Sequence, residues 1–364
     1  MRNRFHALCP YFAMFPESFA EKWIEKLTVQ GDMVIDPFCG RGTAPFQALL
    51  MNRQAMGVDI NPVAFCVSRA KTNAPSLASL RRRIRALEKG FHREDWESER
   101  RALPRFFRVA YCPNTLRQVL YLRHGLCWSK SNVDCMVTAM LLGALHGESR
   151  KSPSYLSNQM PRTISTKPAY SLRFWKRHDY RAPRRNAFEL LRRLARFRYE
   201  TPPPEQKGEV LCCDFRDIPG RFRASDDMPA LAVTSPPYLD TTNFEEDQWL
   251  RLWFLGGPPQ PTYRRISRDD RHEHEGTYWS LIADMWRVFG RIMTRKAHVV
   301  VRMGGKRLNP DRVVAGLHGA AVFSQRKVSL RSWEVSEIKR RQTDSFRPGA
   351  PGCRFEVDCW FQLD

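Results

Sequence analysis

A doubly wound α/β fold carrying a basic, mainly helical insert is what this chain of 364 residues predicts. Three observations carry that expectation. Between Met33 and Asp59 the sequence reads as a short strand, a glycine-containing turn, a helix and a second strand ending in an acid. That order opens a nucleotide-binding sheet. From Glu209 onward, short apolar runs and a helical pattern alternate again. Between these parts, residues 73–205 hold 27 Lys and Arg against 11 Asp and Glu, or +16 of the chain's formal charge of +22.

Taken in order, "MVIDPFCGRGT" predicts a strand over 33–35, a turn, and a helix over 43–51, and "QAMGVDINP" predicts a strand ending at Asp59. The insert shows helical spacing over 80–89, 116–122 and 187–198, and the apolar run 137–145 reads as a buried helix. "TPPPE" at 201–205 is a stiff hinge back to the core. "GEVLCCDFRDI" predicts a strand over 210–213 with Asp214 at its carboxyl end, and "MPALAVTSPPY" supplies another. An amphipathic helix over 278–293 follows, then the β-branched run "AHVVVRMGG" and a last strand in "FEVDCWFQL". Three parts result, 1–72, 73–205 and 206–364.

Hydrophobic content of 42% supports a sizeable core. The concentrated positive charge points to a polyanionic partner, because clustered Lys and Arg gain affinity by displacing counterions from phosphates. No apolar run approaches the roughly 20 residues of a membrane span, and the start lacks a long apolar signal region. The ten cysteines are scattered, without a Cys-x-x-Cys pair. These features predict a cytosolic chain with reduced, mostly buried thiols, no membrane partner and no metal. "His272-Glu273-His274" reads as a solvated loop.

Gly40 and Gly42 permit positive φ and close approach of backbone to a ligand. The third glycine of a dinucleotide fingerprint is missing, and Pro45 stands there. That argues for an adenosine-containing ligand other than NAD. Asp59 can accept hydrogen bonds from ribose hydroxyls. Asp214 either meets an adenine amino group or caps the turn that follows.

"TSPPY" is a rigid corner at the end of a strand. Ser235 and the Pro236 carbonyl offer acceptors, and Tyr238 offers a stacking face. An exocyclic amino group on a nucleobase is a poor nucleophile because its lone pair is delocalised. Two acceptors on its N–H bonds favour a pyramidal nitrogen that can attack a methyl group. A stacked ring holds such a base out of the duplex.

With these residues in hand, the chain resembles the DNA amino-methyltransferases that use S-adenosylmethionine to make N4-methylcytosine or N6-methyladenine. "DPFCGRGT" is similar to their cofactor loop and "TSPPY" to their catalytic motif, whose serine-first form is more typical of the cytosine-N4 group. "FHALCPYFAMFPESFAEKWI" is similar to their N-terminal element. The resemblance covers about residues 5–71 and 209–364.

It implies a Rossmann-like class I methyltransferase fold, with a mostly parallel seven-stranded sheet and helices on both faces. By that resemblance 1–72 holds cofactor, 206–364 is catalytic, and 73–205 is a target-recognition region. Cofactor contacts fall on Phe15, Pro16, Asp36, Phe38, Gly40, Gly42, Thr43, Asp59, Ile60, Asp214 and Phe215. The catalytic corner is Ser235, Pro236, Pro237 and Tyr238. Arg162 and Lys167, in a Pro-rich and poorly helical stretch, are candidates for nucleic-acid contact, with Arg173, Lys176 and Arg177 beyond them. The implied partner is duplex DNA with a flipped base, met by a monomer or homodimer in a bacterial or archaeal cytosol near the nucleoid. The same resemblance allows a place in a restriction–modification or defence system, or action alone. Competing readings keep the fold and change the substrate to adenine-N6 in DNA or to RNA, or drop catalysis for nucleic-acid binding alone. Trp249 and Trp253, at helical spacing after the corner, read as core.

Overall fold

The structure, a computed structural model, describes residues 2–11, 15–147, 154–158, 167–222, 227–239, 244–262, 274–305, 308–338 and 353–364. Its strands are β1 (Met33–Asp36), β2 (Gln54–Asp59), β3 (Glu209–Cys212), β4 (Leu231–Thr234), β5 (Ala297–Met303), β6 (Val328–Glu337) and β7 (Phe355–Leu363). Its helices are α1 (Glu17–Leu27), α2 (Thr43–Leu50), α3 (Pro62–Thr72), α4 (Leu77–Lys89), α5 (Glu97–Ala102), α6 (Arg105–Ala110), α7 (Pro113–Gly125), α8 (Asn132–Leu142), α9 (Pro168–Arg177), α10 (Ala187–Arg198), α11 (Phe244–Phe254), α12 (Glu275–Ile292) and α13 (Pro310–Ala320). No described helix is long and apolar enough to cross a membrane.

The chain divides into two compact units. One holds 13–68, 204–242 and 267–364, and contains the sheet. The other holds 1–12, 69–203 and 243–266, so it takes in more than the basic insert.

In the first unit the seven strands run in the order β3-β2-β1-β4-β5-β7-β6. All neighbours are parallel except β7, which is antiparallel to both β5 and β6. This is the Rossmann-like class I methyltransferase sheet. Period-two alternation divides its side chains between two cores. Val34, Ala55, Leu231, Val233 and Val300 pack with Phe19, Trp23 and Ile24 of α1 and with Ala44 and Ala48 of α2. Their neighbours Ile35, Met56, Ala232, Val299 and Val301 join Met285, Trp286 and Phe289 of α12 and Val313 and Leu317 of α13. Both faces are therefore covered by helices, as a parallel sheet requires.

β6 was not evident in the sequence. Its apolar alternation slips at a bulge between Leu330 and Ser332, and most of its residues are exposed. An edge strand with one slip has lost the pattern by which strands are read.

The second unit is helical. α8 is buried from Asp134 to Leu142, matching the expected buried helix. Phe106, Phe107, Trp175, Trp249 and Trp253 form an aromatic core, with the Phe107 and Trp253 rings 4.4 Å apart. The two tryptophans after the corner are thus packing residues. Lys167 precedes α9, whose first residue is Pro168. Proline suits that position because its missing N–H has no partner within the helix anyway.

All ten cysteines are free, and five are buried. Cys127 and Cys212 are exposed, Cys212 because β3 lies at the edge of the sheet.

Candidate active site

The site residues gather at the carboxyl ends of β1, β2, β3 and β4. The order of strands reverses between β1 and β4, and ligands of such sheets bind in the crevice at that switch. Asp36 ends β1 and Thr234 ends β4, and they are joined across it. The Thr234 hydroxyl donates to Asp36 Oδ1 at 2.6 Å, and the Phe38 amide donates to the same oxygen at 3.1 Å. Asp36 is buried, and its Oδ2 has no hydrogen-bond partner among the described residues. Burial pushes its carboxyl up to about 7, against the lowering effect of these two bonds, and the nearby Asp59 charge adds to the rise.

The glycine turn follows β1. Gly40 and Gly42 take φ of 50° and 68°. A Cβ on Gly42 would lie 2.6 Å from Ser68 Oγ, so glycine is required there on two counts. The Ser68 hydroxyl in turn donates to the Gly40 carbonyl at 2.8 Å. The absent third glycine has a replacement on the facing strand. A Cβ on Gly57 of β2 would meet Pro45 and Cys39, each at 3.1 Å, so Gly57 lets α2 approach the sheet although α2 carries proline there. Thr43, the first residue of α2, is buried, and its hydroxyl accepts from Arg41 Nε at 3.3 Å.

Asp59 ends β2 and reaches back to the turn. Its Oδ2 accepts from the Gly40 amide at 2.8 Å and its Oδ1 from the Asn61 amide at 2.9 Å. Burial raises its carboxyl to about 6. Each oxygen keeps a lone pair for a further donor. Ile60 follows it, half-buried. After β3, Asp214 caps a short 3-10 helix and pairs with Arg216, its Oδ2 lying 2.6 Å from Nη2. The cap expected as one of its two alternatives is thus formed. Phe215 is buried, with its ring 4.8 Å from that of Phe38.

The proline corner is anchored from three sides. The Tyr278 hydroxyl of α12 donates to the Pro237 carbonyl at 3.0 Å. Leu239 pairs with Gly305 in parallel, prolonging the β4–β5 ladder past the prolines. Tyr238 donates to Glu356 Oε1 of β7 at 3.0 Å, and the Ser235 hydroxyl lies 3.4 Å from Tyr238 Oη. Burial, and then the Glu356 charge, push the Tyr238 phenol well above its usual range, so it stays protonated. Gly304 makes room for this packing, since a Cβ there would lie 2.6 Å from the Phe355 carbonyl and 3.3 Å from the Tyr238 ring. Behind Glu356 stands Arg302 of β5, with its Nη1 3.3 Å from Glu356 Oε2. Arg302 also forks onto Asp358 through bonds of 2.6 and 2.7 Å, and lies over the Phe19 ring at 4.0 Å.

Thr234, Tyr278, Arg302 and Glu356 were not singled out in the sequence. A signal existed for two of them. Arg302 interrupts a β-branched run, and Glu356 and Asp358 stand two apart in the final strand, on one face. Charges inside apolar strands call for partners.

Phe15 is buried in the same core as Val233, 5.0 Å from the Phe19 ring, and Pro16 is exposed at the start of α1. In the helical unit, Lys167 pairs with Glu246 at 2.6 Å. Arg173, Lys176 and Arg177 are exposed on α9. Arg162, His272 and Glu273 lie outside the described residues.

Comparison with known proteins bears on the cofactor side of this site. Residues 2–68 match a family model described as DNA methylase. The orphan methyltransferase M.BamHII of Bacillus amyloliquefaciens is 45% identical over 49 residues, 14% of this chain and 18% of its own. The type II methyltransferase M.HpaI of Haemophilus parainfluenzae is 40% identical over 52 residues, 14% of this chain and 17% of its own. The matched stretches thus span under a fifth of these relatives. Among solved structures, the rRNA methyltransferase aviRa from Streptomyces viridochromogenes aligns over 98% of this chain and 90% of its own. Its identity is 14% and its TM-score 0.34, too low a likeness to bear on function. The family match supports the amino-methyltransferase resemblance for the segment that carries the glycine turn and Asp59.

Proposed function

We propose that the chain is an S-adenosylmethionine-dependent DNA methyltransferase acting on the exocyclic N4 amino group of cytosine in duplex DNA, with the target base turned out of the helix. The reading is that of a cytosolic enzyme. One observation carries it: Ser235–Tyr238 stands at the sheet's switch point, beside a buried aspartate with an open oxygen. Asp36 Oδ2 is a desolvated acceptor without a donor, which suits the cofactor's ammonium group. Asp59 suits ribose hydroxyls, the Phe38 and Phe215 rings suit the faces of adenine, and the turn at Gly40 and Gly42 admits close approach of a ligand. S-adenosylmethionine, when bound, supplies an electrophilic methyl group on its sulfonium.

The corner's own residues do the rest. Glu356 as a carboxylate can only accept, so Tyr238 donates to it, and Tyr238 Oη can then only accept from Ser235. That chain turns the serine proton toward the tyrosine and leaves the Oγ lone pairs for an incoming amino group. The Pro236 carbonyl, to which no described residue donates, is the second acceptor. Together they draw the amino N–H bonds out of conjugation and raise the nucleophilicity of the nitrogen. The Tyr238 ring, held by its hydroxyl, offers the extruded base a stacking face. The methylated amino cation is acidic and loses its proton without a strong base. Orientation of the reactants contributes much of the acceleration, on the order of 7–11 kcal/mol at most.

The test is nucleoside mass spectrometry after incubation with isotopically labelled S-adenosylmethionine and unmethylated genomic DNA. Labelled N4-methylcytosine is expected. N6-methyladenine overturns the base assignment, and label only in an RNA digest overturns the DNA assignment. Ser235→Ala is expected to keep cofactor affinity and lose turnover by about 10²-fold, the scale of removing one hydrogen-bonding group from a reacting centre. A wild-type rate in that variant removes the corner from the mechanism.

A further inference from the structure

A cleft of about 270 Å³ on the helical unit is lined by four arginines, Arg81 and Arg85 of α4 and Arg192 and Arg196 of α10. The two helices pack on each other. α4 buries Leu80 and Ile84, and α10 buries Leu191 and Ala195. Each cleft arginine is the residue immediately after one of these, so the packing that builds the helix pair also sets the guanidinium groups side by side.

This arrangement is electrostatically unfavourable by itself. Like charges four residues apart on a helix oppose helix formation, and here two such pairs face one opening. Glu88 pairs with Arg192. No described carboxylate lies within ion-pair distance of Arg81, Arg85 or Arg196. A surface that holds unpaired cations around one concavity is suited to an anion.

We propose that this cleft is a phosphate clamp for the sugar–phosphate backbone of duplex DNA, rather than a part of the base-reading surface. The inference rests on the DNA substrate proposed above. The guanidinium fork matches phosphate oxygens. The lining offers no aromatic face and no acceptor with which to read a base, so its contacts position the duplex without specifying sequence. Small-molecule pockets are lined mainly by hydrophobic and aromatic side chains, and this cleft is lined by arginines alone.

The experiment is fluorescence anisotropy of the full chain with a short labelled, unmethylated duplex, across a series of salt concentrations and without cofactor. The triple variant R81Q/R85Q/R196Q keeps the Arg192–Glu88 pair and good helix formers. R105Q/R108Q/R184Q removes the same charge from other exposed arginines of the insert. Thermal unfolding of each establishes that it is folded.

The cleft variant is expected to weaken binding about tenfold and to flatten the slope of log K against log salt by about two to three, one for each phosphate no longer neutralised. The control is expected to change the slope by less than about one. An unchanged slope in the cleft variant, equal changes in both variants, or binding of RNA but not duplex overturns the proposal. Because the assay needs no turnover, a chain that binds duplex through these arginines but forms no methylated base separates failure of the catalytic reading from failure of the clamp.

Discussion

Two buried aspartates of the sheet unit make an instructive pair. Asp358 of β7 faces Arg302 directly across the β5–β7 ladder, and both carboxylate oxygens are taken by the guanidinium fork. Asp36, at the end of β1, is buried more deeply, yet it has only neutral donors on one oxygen and none on the other. The first is a closed clamp, with its charge compensated by the chain itself. Among the described residues the second is uncompensated, and it stands at the switch point of the sheet. Similar burial leads to opposite chemistry because the chain itself supplies the partner in one case, whereas in the other the proposed function assigns it to the cofactor.

Breaking the clamp tests the contrast most severely. Arg302→Met leaves the buried Asp358 and the half-buried Glu356 without their cation, and we expect a loss of about 3–5 kcal/mol in denaturant unfolding. The double variant Arg302→Met with Asp358→Leu is expected to recover a large part of it, because both charges are then gone. No recovery would mean that the loss comes from packing on Phe19 instead.

Asp36→Asn reverses the expectation. Removing an unpaired buried charge is expected to leave stability equal or higher, while affinity for S-adenosylmethionine by calorimetry falls by about 1.5–3 kcal/mol, the scale of a charged hydrogen bond. A fall in stability comparable to that of Arg302→Met sinks the idea that Asp36 is uncompensated.

The same contrast has a pH signature. Asp36 is raised to about 7 and Asp59 to about 6, from an ordinary 3.8. The native state thus holds protons that the unfolded chain releases. Stability of the ligand-free protein is then fullest below about pH 4 as far as these groups decide it, and declines as pH rises to about 7. Affinity for the cationic cofactor runs the other way. It is expected to rise about tenfold between pH 6 and 8 as Asp36 ionises, and the Asp36→Asn variant is expected to lose that slope.

The smallest effect is expected at Glu356→Gln. Glutamine can donate to Tyr238 and so reverse the serine–tyrosine polarity, lowering kcat several-fold, up to about tenfold on the scale of one hydrogen bond, with cofactor affinity unchanged. A change in cofactor affinity with kcat intact would break the link between β7 and the corner.

Much of this site was legible in one dimension because it is local. Asp36, Gly40 and Gly42 fall within seven residues, and Ser235–Tyr238 are contiguous, so backbone stiffness and glycine freedom mark them directly. The joining residues were not. Thr234 reaches Asp36 across 198 positions, and Tyr238 reaches Glu356 across 118. Asp214 shows the converse, for its partner Arg216 is two residues away and a cap was readable beside the ligand role.

The order of hydrophobic periods, the glycine turn, the proline corner and the concentration of charge in the insert were settled by the amino-acid sequence alone, because each is a property of neighbouring residues. Which acid is neutralised and which is left open was decided only by the tertiary structure, through the register that sets Arg302 opposite Asp358 and the strand order that sets Asp36 beside Thr234. So was the cleft in which four arginines from α4 and α10 meet. Charge compensation depends on distance in space, and strand order and helix packing set that distance.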